Sequence, residues 1–475
     1  MAASRKIRYT RLIFTHRYER LMSHAVTAKS LLQNPISQTL WQMTWPVIIG
    51  ALTLISFNVV DTFFVSMLGT EPLAAISFTF PVTFTVISLT IGLSIGTSAV
   101  LARKRGLGRD SHAQFDGVVA LVISALLVAV LALIGYAFMD EIFGGLGAQP
   151  ELMPHIHDYM SVWFLGAVFL VTPMVGNAVL RAAGNTKIPS LIMAAGGLLN
   201  AVFDPILIFG VGPIPAMGVK GAAYASLLSW VIGTLGVIWY LFRKELISLQ
   251  LPHQASWVHS SRQILAIGIP AAGANMLTPL AMASVTAIIA VYGAPAVAAF
   301  GVGTRLESLA SVIILALSMS LPPLISQNFG ASQFARVQEA FRVAIRSVVW
   351  IQLVIYALLV VTAPGIAQIF TDDPEVARLV RLFIYIMPLG YGMQGIIILA
   401  NSSFNALHRP LNALVLSVIR LFVMFVPLSW LGAMLYDVPG LFIGGVVANF
   451  FTGLFAWWWF QRGLRLAIDQ EQQGS

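Results

Sequence analysis

The sequence predicts an all-α polytopic membrane protein with twelve transmembrane helices in two pseudo-symmetric lobes of six. Three observations predict it: the share of apolar residues, the spacing of long apolar stretches, and the charges in the gaps between them. Of the 475 residues, 58% are hydrophobic and 10% are charged, whereas soluble domains carry about a quarter charged residues. So few charges cannot cover a water-exposed surface, so the expected surrounding is a lipid bilayer.

Twelve apolar stretches are each long enough to cross a bilayer, which takes roughly 20 mostly apolar residues. A polar gap after the sixth stretch separates two sets of six. The predicted spans are 40–68, 73–101, 116–139, 155–180, 187–210 and 217–242, followed by 263–293, 296–326, 339–363, 380–405, 411–434 and 440–461.

The same gap sets the expected domain boundaries. The first 35 residues hold seven basic side chains and one acidic one, without the apolar core of a signal peptide. We therefore expect a cytoplasmic basic tail there. The expected parts are the tail 1–35, a first lobe 36–245, a cytoplasmic linker 246–262, a second lobe 263–462 and a cytoplasmic tail 463–475.

Charges alternate between successive gaps. Basic residues fill every second gap and acidic residues dominate the others, which under the positive-inside rule places both termini in the cytoplasm. We expect a multi-pass protein of the cell's inner membrane. The basic gaps contain Arg103, Lys104, Arg105, Arg109, Arg181, Lys187, Arg243, Lys244, Arg262, Arg336, Arg342 and Arg409, whereas the acidic gaps contain Glu71, Asp140, Glu141, Glu151, Asp372, Asp373, Glu375 and Asp437 with the basic exceptions Lys220, Arg378 and Arg381.

The two halves are internally similar. IFGGLGAQPELMPHIHDYM from Ile142 resembles IAQIFTDDPEVARLVRLFI from Ile366, and PMVGNAVLRAAGNTKIPS from Pro173 resembles GIIILANSSFNALHRPLN from Gly395. Six spans separate the members of each pair, so the halves have the same orientation and their repeat axis lies along the membrane normal. Such halves leave a cleft that a rocking motion can open to either side.

Five polar side chains of the first half fall at one depth. At 1.5 Å per residue, Asp61, Tyr159, Asn200, Asp204 and Ser226 lie roughly 8–14 Å below the outer ends of their spans. Two acids in such a pocket cannot both stay ionised cheaply, so we expect it to bind H⁺ or Na⁺. The alternative is a hydrogen-bonded helix contact with no transport role.

Three further positions are candidates with open alternatives. Arg305 and Glu307 lie deep in the second half, two residues apart; either they face the cleft or they make structural contacts between helices. Pro46 precedes Asp61 by fifteen residues and permits a kink in the helix. An ordinary membrane proline explains Pro46 equally well.

Other function classes are disfavoured. We find no H-E-x-x-H motif, no phosphate-binding G-x-x-x-x-G-K-[ST] motif and no cysteine, so we expect no enzyme, no cofactor and transport driven by an ion gradient. His155, His157 and Asp158 lack further ligands, so no metal site is expected. The net charge of +8 is explained by topology rather than by a nucleic-acid partner.

Six sequence segments carry a resemblance to a known family: VDTFFVSMLG from Val60, AVLRAAGNTKIP from Ala178, NAVFDPILIFG from Asn200, GVKGAAYAS from Gly218, SQNFGAS from Ser326 and IFTDDPEV from Ile369. No single segment decides the resemblance, but their order and spacing over twelve spans make it specific. With these segments, the chain resembles the multidrug and toxic compound extrusion (MATE) family over about residues 35–465.

The resemblance implies two six-helix lobes in a V shape and antiport of organic, often cationic or amphipathic, compounds against H⁺ or Na⁺. It places the cation site of prokaryotic members at Asp61, Tyr159, Asn200, Asp204 and Ser226, where the family often has Thr in place of Ser226. Pro46 falls where such members bend their first helix. Asn177 falls on a position that lines the drug cavity, and we add Met174, Gln394, Glu307 and Arg305 as expected cavity residues.

The chain departs from the family in the second lobe. Other members carry acids in the seventh and tenth helices, whereas this chain has Gln394 in the tenth and no acid in the seventh. The coupling ion is therefore expected at Asp61 and Asp204, with H⁺ favoured over Na⁺. We expect a monomer in the bilayer with small organic substrates.

Two rival functions remain open. A flippase for a lipid-linked sugar shares the broad superfamily, but several basic residues should line its cleft for pyrophosphate, and only Arg305 is a candidate. An uncoupled channel or receptor should show rings of charge or filter loops.

Overall fold

The computed structural model describes residues 28–250, 252 and 255–474. Residues 1–27, which make up most of the predicted basic tail, lie outside this part. Within it the chain is helical, and its β-structure is limited to an isolated bridge between Val211 and Ile214. The predicted all-α fold is confirmed.

The first half contains six long helices and two short ones. They are α1 (Ala28–Gln33), α2 (Ile36–Ser66), α3 (Thr70–Gly106), α4 (Asp110–Ala137), α5 (Met139–Gly145), α6 (Met153–Ala182), α7 (Lys187–Phe209) and α8 (Gly218–Arg243).

The second half repeats this plan with more interruptions. Its helices are α9 (Trp257–Ala290), α10 (Ala294–Ala310), α11 (Val312–Gly330), α12 (Phe334–Phe370), α13 (Pro374–Ile386), α14 (Tyr391–Ala406), α15 (Pro410–Val418) and α16 (Val426–Gly474). A 3₁₀ turn, Met387–Gly390, joins α13 to α14, and a π-helix, Ile419–Phe425, joins α15 to α16.

Eleven helices of the described residues are long and apolar enough to cross a membrane. The difference from the twelve predicted spans has one cause: the final segment, Pro410–Gln473, covers both of the last two predicted spans. The eighth predicted span is divided at Ser311 into α10 and α11, and α11 still counts as one span.

The chain reverses inside that final segment. Tyr436 and Asp437 leave helical geometry, and Asp437 has a φ of 52° in the left-handed region. A Cβ on Gly432 would collide with the backbone of Gly440, and one on Gly444 would collide with the backbone of Leu428. Residues further before the turn therefore contact residues further after it. The two arms are antiparallel helices, as two separate spans require.

The first long helix of each half packs partly on the opposite half. Ile36 and Leu40 of α2 belong to a buried apolar core of the second half. Ile264 and Ile267 of α9 belong to the core of the first half. This reciprocal exchange is what a pseudo-twofold relation between the halves produces.

The halves meet at the end of the bundle where α3 ends and α9 begins. We call it the basic end, because Arg103, Lys104 and Arg105 lie there. A Cβ on Gly92 of α3 would collide with the backbone of Gly268 and Ala272 in α9. Only glycine permits so close an approach of two helix backbones.

Polar contacts add to this closure. The Gln327 side chain donates a 2.7 Å hydrogen bond to the Ala182 carbonyl oxygen. Ser260 donates to Asp116 at 2.6 Å, and Asp116 also forms an ion pair with Lys104. The Gln327 and Ser260 hydrogen bonds join the two halves, and the ion pair with Lys104 holds Asp116 in place for the second of them. The basic end is therefore closed.

Candidate functional site

A cavity of about 740 Å³ lies between the two halves, within the range of about 300–1,000 Å³ typical of small-molecule sites. Its walls come from both halves: Asp61, Tyr159 and Asn177 represent the first, and Asn275, Gln394 and Asn401 the second. A compound bound here would touch both lobes at once.

The structure brings together the five polar residues that share one expected depth in the membrane. Asp61, Tyr159, Asn200 and Ser226 line the cavity, and Asp204 lies fully buried behind them. Asn200 donates its amide hydrogens to Asp204 Oδ1 and to Ser226 Oγ, at 3.3 Å each. The first-lobe pocket therefore exists as one connected cluster.

Four helices position this cluster. Asp61 comes from α2, Tyr159 from α6 and Ser226 from α8, while Asn200 and Asp204 are four residues apart in α7. That spacing puts both α7 side chains on one helix face, where a single amide can reach the acid and the hydroxyl together.

The two acids form a pair. Asp61 lines the cavity and Asp204 lies buried behind it, hydrogen-bonded to Asn200, and Asp204 Oδ2 accepts no hydrogen bond from a donor in the described part of the chain. Two neighbouring carboxylates repel unless a proton or a cation lies between them. One proton shared by the pair would satisfy the free oxygen and remove the repulsion.

The donors suit a light ion. Carboxylate, amide, phenol and hydroxyl oxygens converge here, and such hard ligands bind H⁺ or Na⁺ rather than a soft metal. No cluster of three or more His, Cys, Asp or Glu residues that could hold a metal ion occurs among the described residues.

Pro46 lies within α2, which runs unbroken from Ile36 to Ser66. The helix is therefore continuous through the predicted hinge in this conformation. The half of α2 nearest the basic end packs on the second lobe and its other half carries Asp61, so a bend near Pro46 would move the acid relative to the lobes.

Of the five residues expected to line the cavity, three do so. Met174, Asn177 and Gln394 line the cavity, and Gln394 Nε2 donates a 2.9 Å hydrogen bond to Glu307, which lies behind it. Arg305 does not line the cavity: its side chain is exposed. On a helix, residues two apart point to different sides, so Glu307 and Arg305 cannot both face inward.

Sequence reasoning missed two arginines. Arg420 lies in the π-helix and lines the cavity, as does Arg181 in the last turn of α6. Arg181 ends a span, where topology alone accounts for a basic residue, whereas Arg420 is a deep charge inside a span and could have been found by its depth. With Asp61 they are the three charged residues of the described cavity wall.

One short catalytic pattern also occurs. Gly92-Leu93-Ser94-Ile95-Gly96 matches the G-x-S-x-G sequence of hydrolase nucleophile elbows. That motif needs a sharp strand-to-helix turn, but Ser94 lies in the middle of α3, and both glycines serve helix contact with α9. The match has a packing explanation.

Comparison with known families decides the assignment. The MatE family model matches residues 46–206 and again residues 270–431. The chain belongs to the MatE family of transporters. Because one model matches each half separately, the internal repeat predicted from the sequence is also supported.

Relatives with assigned roles are transporters. The FAD transporter of Shewanella oneidensis is 39% identical over 433 residues, which cover 91% of this chain and 96% of the relative. The multidrug export protein MepA of Staphylococcus haemolyticus is 26% identical over 388 residues, covering 81% of this chain and 85% of that protein.

Solved transporter structures share the fold. The Vibrio cholerae MATE transporter VcmN in its bent form is 35% identical with a TM-score of 0.87, covering 91% of this chain and 98% of that one. A transporter from Pyrococcus furiosus, described as having a binding pocket of reverse polarity, is 26% identical with a TM-score of 0.84, covering 92% of this chain and 98% of that one.

Proposed function

We propose that this MatE-family transporter is a secondary-active antiporter that exports organic compounds in exchange for H⁺ or Na⁺ by alternating access. The observation that carries the proposal is the arrangement of the Asp61–Asp204 pair, which sits at the wall of the same cavity that both lobes line. An ion bound there can therefore oppose a substrate bound in the cavity.

The proposed cycle has three steps. With the basic end open, a compound enters from the cytoplasm and binds between the lobes. The basic end then closes, giving the arrangement described above, and the cavity opens to the other side. An ion enters from outside, joins Asp61 and Asp204, bends α2 near Pro46 and displaces the compound. Coupling of this kind requires that the two ligands weaken each other's binding.

The proposal includes a location. The basic end lies on the cytoplasmic side of the inner membrane, as the positive-inside rule predicts, and both termini are cytoplasmic. The transporter works as a monomer, because each chain supplies both walls of its own cavity. H⁺ is the favoured ion, since two acids and a phenol can share a proton without a fixed coordination number.

Gradient-driven transport in proteoliposomes tests the proposal. Wild type, Asp61→Asn and the control Asp372→Asn, which alters an exposed acid of an acidic loop, are compared under an imposed pH gradient and, separately, a Na⁺ gradient. We expect one gradient to drive ethidium movement in wild type and the control, and to lose effect in Asp61→Asn. Transport by wild type that ignores both gradients would exclude antiport.

A second candidate is export of FAD. The 39% identical relative is named as an FAD transporter, and Arg181 and Arg420 in the cavity wall provide positive charge for a pyrophosphate. The same liposomes loaded with FAD test it: release driven by the coupling ion supports FAD, whereas release of ethidium alone supports a cation-selective exporter.

The flippase alternative gains from the same two arginines, since the sequence had offered Arg305 alone. It requires a lipid-anchored substrate, so movement of a water-soluble compound by purified protein argues against it. Failure of both ethidium and FAD to move would bring the flippase forward.

A further inference from the structure

The geometry points to a substrate held at two places, by Arg181 of the first lobe and Arg420 of the second. We propose that the cavity accepts phosphate-bearing aromatic compounds of the nucleotide type. The inference rests on the proposed transport function and names the class of compound that the same cavity takes.

The charge of the cavity wall favours an anion. Its three charged residues among those described are Asp61, Arg181 and Arg420. Two guanidinium groups therefore line the cavity against one carboxyl group, which leaves an excess of positive charge on the cavity wall.

Neither arginine forms an ion pair with a described residue. None of the ion pairs in the described part includes Arg181 or Arg420. Arg420 Nε is buried and has no hydrogen-bond partner there. Glu307 attracts Arg420 without forming an ion pair with it, and Glu307 Oε1 accepts the hydrogen bond from Gln394.

Unpaired guanidinium groups in a partly dry cavity are costly, which makes them suited to bind an anion. The planar guanidinium matches phosphate and carboxylate in two-point geometry. Arg420 lies in the π-helix Ile419–Phe425, and such bulges occur often at functional sites.

The different depths of the two arginines in the bundle favour an elongated ligand. Arg181 lies in the last turn of α6 at the basic end, next to Ala182, which accepts the closing hydrogen bond from Gln327. Arg420 lies ten residues after Pro410, roughly 15 Å further into the bundle at 1.5 Å per residue. A compound with an anionic group at either position can extend along the cavity between them.

The remaining polar wall indicates what else the ligand carries. Asn177, Asn401 and Asn405 line the cavity. Side-chain amides of this kind can hydrogen-bond N–H and O–H groups of a ligand. Heteroaromatic rings with N–H groups and sugar hydroxyls supply such groups.

Flavin binding measures this directly, because FMN and riboflavin share a fluorescent ring and differ by one phosphate. The full chain in nanodiscs is titrated with each by fluorescence anisotropy. We expect FMN to bind wild type about tenfold or more tightly than riboflavin, the scale of one charge-assisted contact. Equal affinities for the two compounds would overturn the proposal.

Variants locate the effect. Arg181→Gln and Arg420→Gln should each lose most of the preference for FMN while riboflavin affinity stays within about threefold, and Arg181→Lys and Arg420→Lys should retain part of it. Arg305→Gln is the matched control, since it removes an exposed arginine outside the cavity. Equal loss of FMN and riboflavin affinity, or an effect of Arg305→Gln as large as the others, contradicts the assignment.

Two further measurements distinguish this proposal from related ones. Farnesyl pyrophosphate, which carries the same anionic group on a lipid chain, should compete with FMN more weakly than ADP does; stronger competition would assign the site to a lipid pyrophosphate. Gradient-driven ethidium transport is measured on wild type and Arg305→Gln, so that coupled transport without a preference for FMN separates failure of this inference from failure of the transport function.

Discussion

Gln327 of α11 donates a buried 2.7 Å hydrogen bond to the main-chain carbonyl oxygen of Ala182 at the end of α6. The two residues belong to opposite halves, and Gln327 is 1% exposed, so water cannot easily replace the bond. The bond holds the two halves together at the closed basic end, and Ala182 follows Arg181, which lines the cavity. It therefore links the contact between the halves at that end to the cavity wall.

Replacing Gln327 with alanine should open the basic end more often. The change leaves the Ala182 carbonyl oxygen unpaired in the closed form, at a cost of about 1–3 kcal/mol, whereas in an open form water can reach it. Because the chain contains no cysteine, Ser111→Cys and Ala335→Cys provide two spin-label sites on exposed positions of opposite halves. We expect the longer distances between the labels to gain population.

Gln352→Ala is the matched control for that experiment. Gln352 also donates a buried hydrogen bond, of 2.9 Å, to a main-chain carbonyl oxygen, that of Ala310, but both residues lie in the second half. Its loss should lower stability and leave the label distances unchanged. A shift in Gln352→Ala equal to that in Gln327→Ala would mean that loosened packing, rather than a broken contact between halves, opens the basic end.

The grouping of five polar residues in the first lobe could be expected from the sequence for a physical reason. Topology and helix rise fix the depth of a residue in the membrane, and five polar residues on four helices had one depth. Depth does not fix the direction of a side chain, however. Arg305 and Glu307 have nearly the same depth, and only the packing of α10 reveals that Glu307 faces inward while Arg305 is exposed.

The same limit explains the missed arginines. Arg181 ends a span, where positive charge is expected from topology alone, so its sequence position gives no sign of a role in the cavity. Arg420 stands in a strongly apolar stretch, and its depth alone could have marked it as a candidate. The direction of its side chain depends on the π-helix, which sequence periodicity does not predict.

Alanine at Gly92 should prevent full closure of the basic end. Its Cβ would fall on the backbone of Gly268 and Ala272, and backbone atoms cannot move aside as a flexible side chain can. Gly236→Ala is the control, because a Cβ there meets nothing within 4 Å. The spin-label pair at Ser111 and Ala335 should report an open basic end in Gly92→Ala alone; unchanged distances in that variant would show that the halves can slide apart locally.

His408 should make the closed basic end sensitive to acid. This residue lies outside the membrane-spanning segments; its Nδ1 lies 3.4 Å from the Arg103 guanidinium and its Nε2 3.3 Å from the Ala99 carbonyl oxygen, both in the opposite half. Burial, and then the charge of Arg103, lower the pKa of His408 to about 4. The imidazole is therefore neutral in the closed form and donates from Nε2.

The sign of the effect follows from proton linkage. A His408 released to water regains a pKa of about 6.5, so the open form binds the extra proton between pH 6.5 and 4 and the closed form does not. Going from pH 7.5 to pH 5 should disfavour the closed form by up to roughly thirtyfold. The same spin labels measure it, and His408→Gln should remove most of the pH response. A response of equal size in that variant would assign it to other groups.

Ser226→Thr should preserve ion coupling, Ser226→Ala should weaken it slightly, and Asn200→Leu should weaken it strongly. Asn200 is the amide that reaches both Asp204 Oδ1 and Ser226 Oγ, so its loss removes a donor from a buried acid, whereas Ser226→Ala removes one neutral acceptor that water can replace. Costs of about 1–3 kcal/mol for an unpaired buried group correspond to a roughly tenfold loss in the gradient-driven rate for Asn200→Leu.

Asn275→Ala supplies the comparison, since Asn275 lines the same cavity but donates to Ala271 of its own helix at 2.8 Å. Its removal leaves the acid pair intact, so the dependence of transport on the ion gradient should stay as in wild type even if substrate affinity changes. Loss of the gradient response in Asn275→Ala would mean that coupling is spread over the whole cavity wall. Retention there, with loss in Asn200→Leu, would locate coupling in the first-lobe cluster, where ion and substrate share a wall without sharing ligands.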